Sequence, residues 1–426
     1  MQSYLRPANL LIVCVALVPV FVAASEAPSR EALAAAGTAA GVLGLSLLLL
    51  AAVISVRVPR LDVWFGGLTK LWKVHHLLGA ASFVLVMAHP LLLAFASARV
   101  SIEAAGTLLF PAAGAWSVWA GWLSFAAMAM FLAPTFWFFG QPEYQRWKAL
   151  HALSGLAMLF ALAHALPPAK DSRRALWLVY GGLALLAFIY RKFIAPYTAR
   201  SGYTITRVET VNRGVVELTL EPEKKLLHYR PGQFAYLTPL DPALSSGRNE
   251  EHPYTLSSAP GENALRIAIK EAGDATRALQ TVACGSRALV EGPYGDFFSA
   301  RKAGAPALWI AGGIGIAPFL SGARSMTVEN RTDIQLIYCV QDESRAHLIG
   351  ELEAIALRVP RFKLTKHFFA REGALTGAFI AAACPDFAAR DIYMCGPPVF
   401  IAATRRELKA RGVSGARIQS EDFTWL

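Results

Sequence analysis

The sequence predicts a multidomain membrane protein: a six-helix transmembrane bundle, then an antiparallel β-barrel, then an α/β parallel-sheet domain of nucleotide-binding type. Three observations carry that prediction. Long apolar runs recur up to about residue 195 and then stop, although 55% of the whole chain is hydrophobic and only 17% charged. The apolar part holds four histidines in two matched pairs, besides His76. The polar part passes from short alternating strands to strands that alternate with helix-like stretches. The implied domains are 1–195, 196–300 and 301–426.

Six apolar stretches, at roughly 8–24, 33–56, 73–97, 113–138, 148–167 and 174–193, are each long enough for a hydrocarbon core of about 30 Å. An even number of spans puts both termini on one side. Arg57, Arg60, Lys70, Lys73, Arg146, Lys148, Arg191 and Lys192 fall on that same side, which the positive-inside rule assigns to the cytoplasm. Lys170, Arg173 and Arg174 lie in an opposite loop, either as ordinary loop charge or as a cationic patch for an anion. The first span follows Arg6 and ends Phe21-Val22-Ala23-Ala24-Ser25, so a signal peptide is its alternative reading; the orientation of the rest is unchanged by it.

An ionisable side chain at bilayer depth is costly and marks a functional position. Fourteen residues separate His75 from His89. That is close to four helical turns and about 20 Å, so both rings leave one face of a helix near opposite membrane surfaces. The thirteen-residue step from His151 to His164 falls about 0.4 of a turn short, which requires a bend, with Gly155 as its candidate site. Any one of these residues alone could be a core histidine bonded to a carbonyl. Two matched pairs point instead to axial ligation of two stacked haems by His75, His89, His151 and His164, with His76 as a spare.

The net charge of +11 belongs to cytoplasmic loops and the soluble half, where it suits lipid headgroups and phosphate-bearing cofactors better than nucleic acid. Cys14, Cys284, Cys339, Cys384 and Cys395 form no Cys-x-x-Cys pair, so neither disulfides nor a zinc site are expected.

Within the barrel, three motifs form a flavin cradle in sequence order: Arg230-Pro231-Gly232-Gln233-Phe234, His252-Pro253-Tyr254-Thr255-Leu256-Ser257-Ser258, and Gly292-Pro293-Tyr294-Gly295. An isoalloxazine needs an aromatic face, and its diphosphate needs hydroxyls, backbone N–H groups and a cation. Lys270, Gly273, Asp274 and Thr276 supply such groups between the motifs. Each fragment alone is a common turn. In the last domain Gly312-Gly313-Ile314-Gly315-Ile316-Ala317-Pro318 follows the strand Ala307–Ala311 and opens a helix, as a pyrophosphate-binding loop does. Cys395-Gly396-Pro397-Pro398 ends a later strand, where a small thiol can border a nicotinamide. Phe423 and Trp425 lie in an aromatic tail that either stacks on the flavin or plugs a groove.

In this order the motifs resemble the ferric reductase and NADPH oxidase superfamily of transmembrane flavocytochromes, over nearly the whole chain from His75 to Trp425 and most closely its small bacterial members. The resemblance implies a ferredoxin-reductase-like FAD barrel, an NAD(P)H-binding domain, and a bacterial cytoplasmic (inner) membrane setting with both termini cytoplasmic. It also pairs His75 with His151 on an inner haem b and His89 with His164 on an outer one, and sets Trp425, or else Phe423, against the flavin. Two departures stand out. His252 occupies a position where related flavoreductases often carry Arg, which implies looser FAD binding. Gln341 follows the strand ending Tyr338-Cys339-Val340 where many members place Arg, leaving Arg345 to grip the 2′-phosphate of NADPH, so the preference for NADPH over NADH is slight.

A nicotinamide gives up a two-electron hydride whereas haem iron takes one electron, so a flavin must stand between them. The implied path runs from NAD(P)H through FAD and two haems to an acceptor across the lipid bilayer: oxygen, giving superoxide, or a ferric chelate, with a quinone or periplasmic protein as a further alternative. Short outer segments at 98–112 and 167–174 slightly favour a small acceptor. Outside the enzyme class, the alternatives are a haem- or nucleotide-sensing membrane module and a structural membrane subunit.

Overall fold

The computed structural model describes residues 7–26, 31–58, 61–135, 144–298 and 304–421. Among them, six helical segments are long and apolar enough to cross a membrane: Pro7–Glu26, Ala32–Ile54, Leu68–Ala98, Trp116–Thr135, Arg146–Ala165 and Asp171–Thr198. The membrane unit is built from α1 (Pro7–Glu26), α2 (Ala32–Ile54), α3 (Leu61–Phe65), α4 (Leu68–Ala98), α5 (Ile102–Leu109), α6 (Trp116–Leu132), α7 (Tyr144–His151), α8 (Ser154–Ala165) and α9 (Asp171–Ile189), except that α3 belongs to the other unit.

Local chemistry explains the helix ends and contacts. The bend foreseen in the fifth span falls at Ala152 and Leu153, between α7 and α8. Gly155 lies just beyond it, where a Cβ would come 2.7 Å from Phe188 Cζ. The first span is tied into the bundle, since Tyr180 Oη donates to Val15 O at 2.8 Å and Arg173 pairs with Glu26. Lys170 Nζ also reaches Glu26 O at 2.9 Å, so these loop cations serve local contacts. The segment after α4 is not bare loop: Ser101 Oγ accepts from Ala104 N at 3.0 Å and starts α5.

The second unit holds residues 59–69 and 197–426. Its first part is a curled six-stranded antiparallel sheet of β1 (Arg200–Asn212), β2 (Val215–Pro222), β3 (Phe234–Pro239), β4 (His252–Thr255), β5 (Leu265–Lys270) and β6 (Arg287–Tyr294), in the order β4-β3-β6-β1-β2-β5. A bridge between Leu256 and Ile267 brings its two edges together around a core that includes Tyr203, Leu218 and Leu237. The second part is a five-stranded parallel sheet of β7 (Ala307–Gly312), β8 (Ile334–Val340), β9 (Phe362–Phe368), β10 (Asp391–Cys395) and β11 (Ile418–Glu421), in the order β11-β10-β7-β8-β9. All residues of β7 and β8 are buried, as expected of parallel strands covered on both faces.

Candidate functional site

Three membrane histidines, His75, His89 and His164, belong to two ladders of hydrogen bonds, and His151 stands beside the place of a further rung. On α4, His75, Ser82 and His89 stand seven residues apart and meet Ala51, Gly44 and Gly37 of α2, also seven apart. Seven residues are nearly two turns, so the rungs share one face. His75 Nδ1 lies 2.9 Å from Ala51 O, Ser82 Oγ donates to Gly44 O at 2.7 Å, and His89 Nδ1 lies 2.8 Å from Gly37 O. A carbonyl only accepts, so each of these rings carries its proton on Nδ1 and leaves the Nε2 lone pair open.

The second ladder joins α6 to α8. His164 Nδ1 lies 2.9 Å from Ser117 O, and Ser124 Oγ donates to Ala157 O at 2.8 Å. Seven residues further along, the rung would join Phe131 to Leu150, and the histidine comes one position late, at 151. His151 Nδ1 is buried without a partner, and the Phe131 ring meets the imidazole edge-to-face at 5.1 Å. The thirteen-residue spacing thus expresses itself as one missing rung.

Across the ladders the rings pair as His75 with His151 and His89 with His164, both with ring centres 6.1 Å apart. Two imidazoles that share one metal through Nε2, at about 2 Å each, have centres about 6 Å apart. Each pair offers two donors, which is what the four nitrogens of a porphyrin leave to the protein, and among the described residues no cluster of three or more metal-binding side chains occurs. Gly41 and Gly121 make room for the pair of His89 and His164: a Cβ would stand 2.6 Å from His89 Nδ1 and 2.9 Å from His164 Nδ1.

In the second unit the first and third flavin motifs converge on Gly295. Gln233 accepts from Arg230 N at 2.9 Å and donates to Gly295 O at 3.0 Å. Gly295 N donates to Asp62 Oδ2 at 2.8 Å. Asp62, on α3 in the connection between the second and third spans, is buried, and burial pushes its carboxyl pKa up. Tyr294 is buried against Phe234 and Tyr236 and donates to Glu291 at 3.0 Å.

The second motif divides its work. His252 Nε2 lies 3.2 Å from Glu250, and Pro253 pairs across the sheet with Tyr236, as Thr255 does with Phe234. Tyr254 leans on the barrel core with its hydroxyl buried and unpartnered, a vacancy of hydrogen bonding that a cofactor hydroxyl or carbonyl would fill. Ser257 and Ser258 are engaged inside the protein: Ser257 donates to Glu217 at 2.8 Å, and Ser258 Oγ lies 2.6 Å from Tyr229 Oη and accepts from Arg266 N. In the turn after β5, exposed Lys270 is followed by Gly273 N donating to Thr276 Oγ1 at 2.9 Å, and Asp274 accepts from Ser246 at 2.8 Å. The Ser246 hydroxyl keeps the Asp274 carboxylate below its usual pKa range.

Behind the serines lies an ionic cluster. Arg324, at the end of α10 (Ala317–Arg324), donates to Glu217 at 2.9 Å, Glu351 at 2.6 Å and Ser257 O at 2.8 Å, while Arg266 reaches Glu217 at 3.1 Å. Burial pushes the Glu217 pKa up, but Arg324 and Arg266 hold it below its usual value. Ser321 of the same helix donates to Ser258 O at 2.6 Å. The helix that follows the glycine loop is therefore fastened to the flavin motif. Sequence reasoning passed over Glu217 and Arg324, and its available signal was a lone charge in the apolar strand Val215-Val216-Glu217-Leu218.

The nucleotide motifs meet at adjacent strand ends. Ala311 of β7 pairs with Cys395 of β10, and the strand order reverses between these two, which places a ligand crevice at their carboxyl ends. Gly315 packs so closely on this edge that a Cβ would lie 2.3 Å from Cys395 O, and one on Gly312 would lie 3.2 Å from Pro397 Cδ. Gly313 has φ +55, Pro318 stands in the first turn of α10, and Gly396 follows the buried Cys395. Arg345 is exposed in a turn after β8, with no hydrogen bond or ion pair from its guanidinium among the described residues. Phe423 and Trp425 lie outside the described residues.

Three families match consecutive parts of the chain: a "Ferric reductase like transmembrane component" over 40–162, an "FAD-binding domain" over 200–297 and an "Oxidoreductase NAD-binding domain" over 309–406. The chain has the ferric reductase and NADPH oxidase architecture. The matched domains are those of a membrane flavin- and nicotinamide-dependent oxidoreductase. Curated relatives of this chain include the ferredoxin reductase component of 3-ketosteroid-9-alpha-monooxygenase from Mycolicibacterium smegmatis, 30% identical over 47% of this chain and 57% of that protein. The flavohemoprotein of Bordetella pertussis is 30% identical over 46% of this chain and 53% of its own length. The chain thus spans little more than half of each relative. A flavohemoglobin structure from Malassezia yamatoensis, with bound FAD and heme, matches 95% of this chain and 98% of its own at TM-score 0.51 and 18% identity, a likeness of fold.

Proposed function

We propose that this protein carries electrons from cytosolic NADPH or NADH through FAD and two b-type haems to oxygen on the far side of a bacterial inner membrane, forming superoxide. The observation that carries this reading is the equal 6.1 Å spacing of the two histidine pairs, each composed of rings from two spans. When bound, FAD accepts a hydride's two electrons and the haems relay them singly.

The protein's own groups hold and orient. His75 and His151 would hold the inner haem, and His89 and His164 the outer one, through Nε2. Tyr254 and the turn at Gly295 would place the flavin, with His252, Lys270 and Thr276 toward its phosphates. Gly312, Gly313 and Gly315 would cradle the nicotinamide cofactor beside Cys395. Two histidines holding each haem would leave the group to supply electron transfer without binding the acceptor itself. The outer connections support a small acceptor, since α5 has no buried residue and residues 166–170 join α8 directly to α9. The basic residues that flank the spans support cytoplasmic termini.

A ferric-chelate reductase with the same wiring is the second reading, favoured by the description of the family matched at 40–162. The deciding experiment is NADPH oxidation by the purified, detergent-solubilised protein with added FAD in air. Near-complete loss of cytochrome c reduction on adding superoxide dismutase is the expected result. Slow turnover insensitive to dismutase, and fast with a ferric chelate, would replace oxygen as the acceptor.

A further inference from the structure

The missing rung at His151 distinguishes the two haem seats. Both pairs reach across the same 6.1 Å, so the seats differ in how their histidines are anchored and not in reach. His75, His89 and His164 each give an Nδ1 proton to a helix carbonyl, and that bond fixes the ring, orients Nε2 and makes it a stronger donor. His151 has no such bond, because the thirteen-residue step and the break at Ala152 and Leu153 carry it past the rung and set it against Phe131. Trp147 adds only another ring, 5.0 Å away. Contacts of N–H with aromatic rings are weak. The bound geometry of His151 therefore costs a buried unpaired N–H, a cost that is relieved when the ring turns away.

We propose that His151 is an exchangeable ligand, so that the inner seat binds small uncharged π-acceptor molecules, of which carbon monoxide is the probe, while the outer seat stays closed. In the exchange the iron–Nε2 bond to His151 breaks and an iron–carbon bond forms, His151 remains neutral, and no electron is transferred. The rings of Phe131 and Trp147 offer an uncharged ligand an apolar contact, while His76 and Lys192 are the titratable and charged groups that act on His151. This inference rests on the two-haem reading, and the experiment separates the two.

Haem per polypeptide is measured first on the purified full-length protein; a value well below two fails the haem reading before any ligand is added. With two haems present, dithionite-reduced protein is titrated with carbon monoxide and followed by its difference spectrum. The expected result is that half of the haem responds. A response from neither haem, or from both, overturns the inference. In His164→Ala, which removes an outer ligand, the inner haem should respond in full, and a silent inner haem there counts against the proposal. Phe131→Asn offers an amide oxygen to Nδ1 and should slow carbon monoxide binding by about fivefold, the worth of one hydrogen bond. Should that variant not fold, the half-response of the unmodified protein still decides the question.

Discussion

The membrane unit and the second unit satisfy their buried polar groups by different means. In the membrane unit the polar partner is a helix carbonyl: Ser46, Ser82, Ser124, His75, His89 and His164 each bond to one. In the second unit the partners are charged side chains in clusters, such as Arg324 with Glu217 and Glu351, or Arg390 with Asp333 and Asp386. A carbonyl partner is local, neutral and repeats with the helix. An ion cluster draws on several elements at once and holds only while every member is present. The first scheme makes positions independent and the second makes them collectively vulnerable.

The largest expected effect tests that vulnerability. Arg324→Ala leaves buried Glu217 with only the part-exposed Arg266 as its counter-charge and should destabilise the second unit by about 3 kcal/mol. The check is the urea midpoint at which flavin fluorescence is released. If Arg324→Ala shifts this midpoint no more than a surface substitution does, the cluster is not a cooperative unit.

Asp62 sharpens the comparison, because it is a carboxylate that serves as a single backbone acceptor. Asp62→Ala orphans the Gly295 N–H and should cost about 1–3 kcal/mol. Asp62→Asn keeps the acceptor and removes the charge. Because burial raises the carboxyl pKa, the ionised form opposes docking at neutral pH, and that penalty fades as pH falls through the raised pKa. Asp62→Asn should therefore match or exceed the natural protein in stability at pH 7, with the difference shrinking toward pH 4. A deficit for Asn at pH 7 as large as that for Ala would mean that the charge itself is needed.

In the membrane unit, Gly121→Ala puts a methyl group 2.9 Å from His164 Nδ1 and should displace that ring from Ser117 O. Overpacking of this kind costs about 1–3 kcal/mol and is confined to one seat. On the proposed two-haem reading, the expected readout is a fall in haem content from two per chain toward one, with the flavin content unchanged. Loss of both haems would show that the ladders are coupled.

The same contrast explains what could be read before folding. Helix-borne chemistry repeats in the sequence, so His75, His89, His151 and His164, the six spans and the bend beside Gly155 were legible from spacing. The thirteen-residue step even announced the irregular rung, though not that it would leave Nδ1 unpaired, since that depends on where Phe131 lies on α6. The strands Ile334–Val340 and Asp391–Cys395 were legible because buried parallel strands are apolar throughout. Asp62, Glu217 and Arg324 were not legible. Each acts through partners far along the chain, such as Gly295 for Asp62, and no local periodicity encodes that distance. Ser257 and Ser258 were read as ligand-facing because a motif specifies residue types and not which way a hydroxyl turns.

Arg345 is an exposed guanidinium with no hydrogen bond or ion pair among the described residues. Asp342 lies within its electrostatic reach, and the pKa of that carboxyl is held low chiefly by the Ser344 hydroxyl. A free guanidinium after the second strand of a nucleotide-binding sheet suits a 2′-phosphate, whereas an ionised carboxylate there suits the ribose hydroxyls of NADH. Two such opposing groups would give only a slight preference for NADPH. Arg345→Ala should lower kcat/KM for NADPH by about tenfold, near 1.4 kcal/mol, and leave the value for NADH within about twofold. Asp342→Asn should move the ratio the other way. Equal losses for both nucleotides in Arg345→Ala would assign that side chain to the shared part of the cofactor, and the second unit would then keep no charge in reserve for choosing between them.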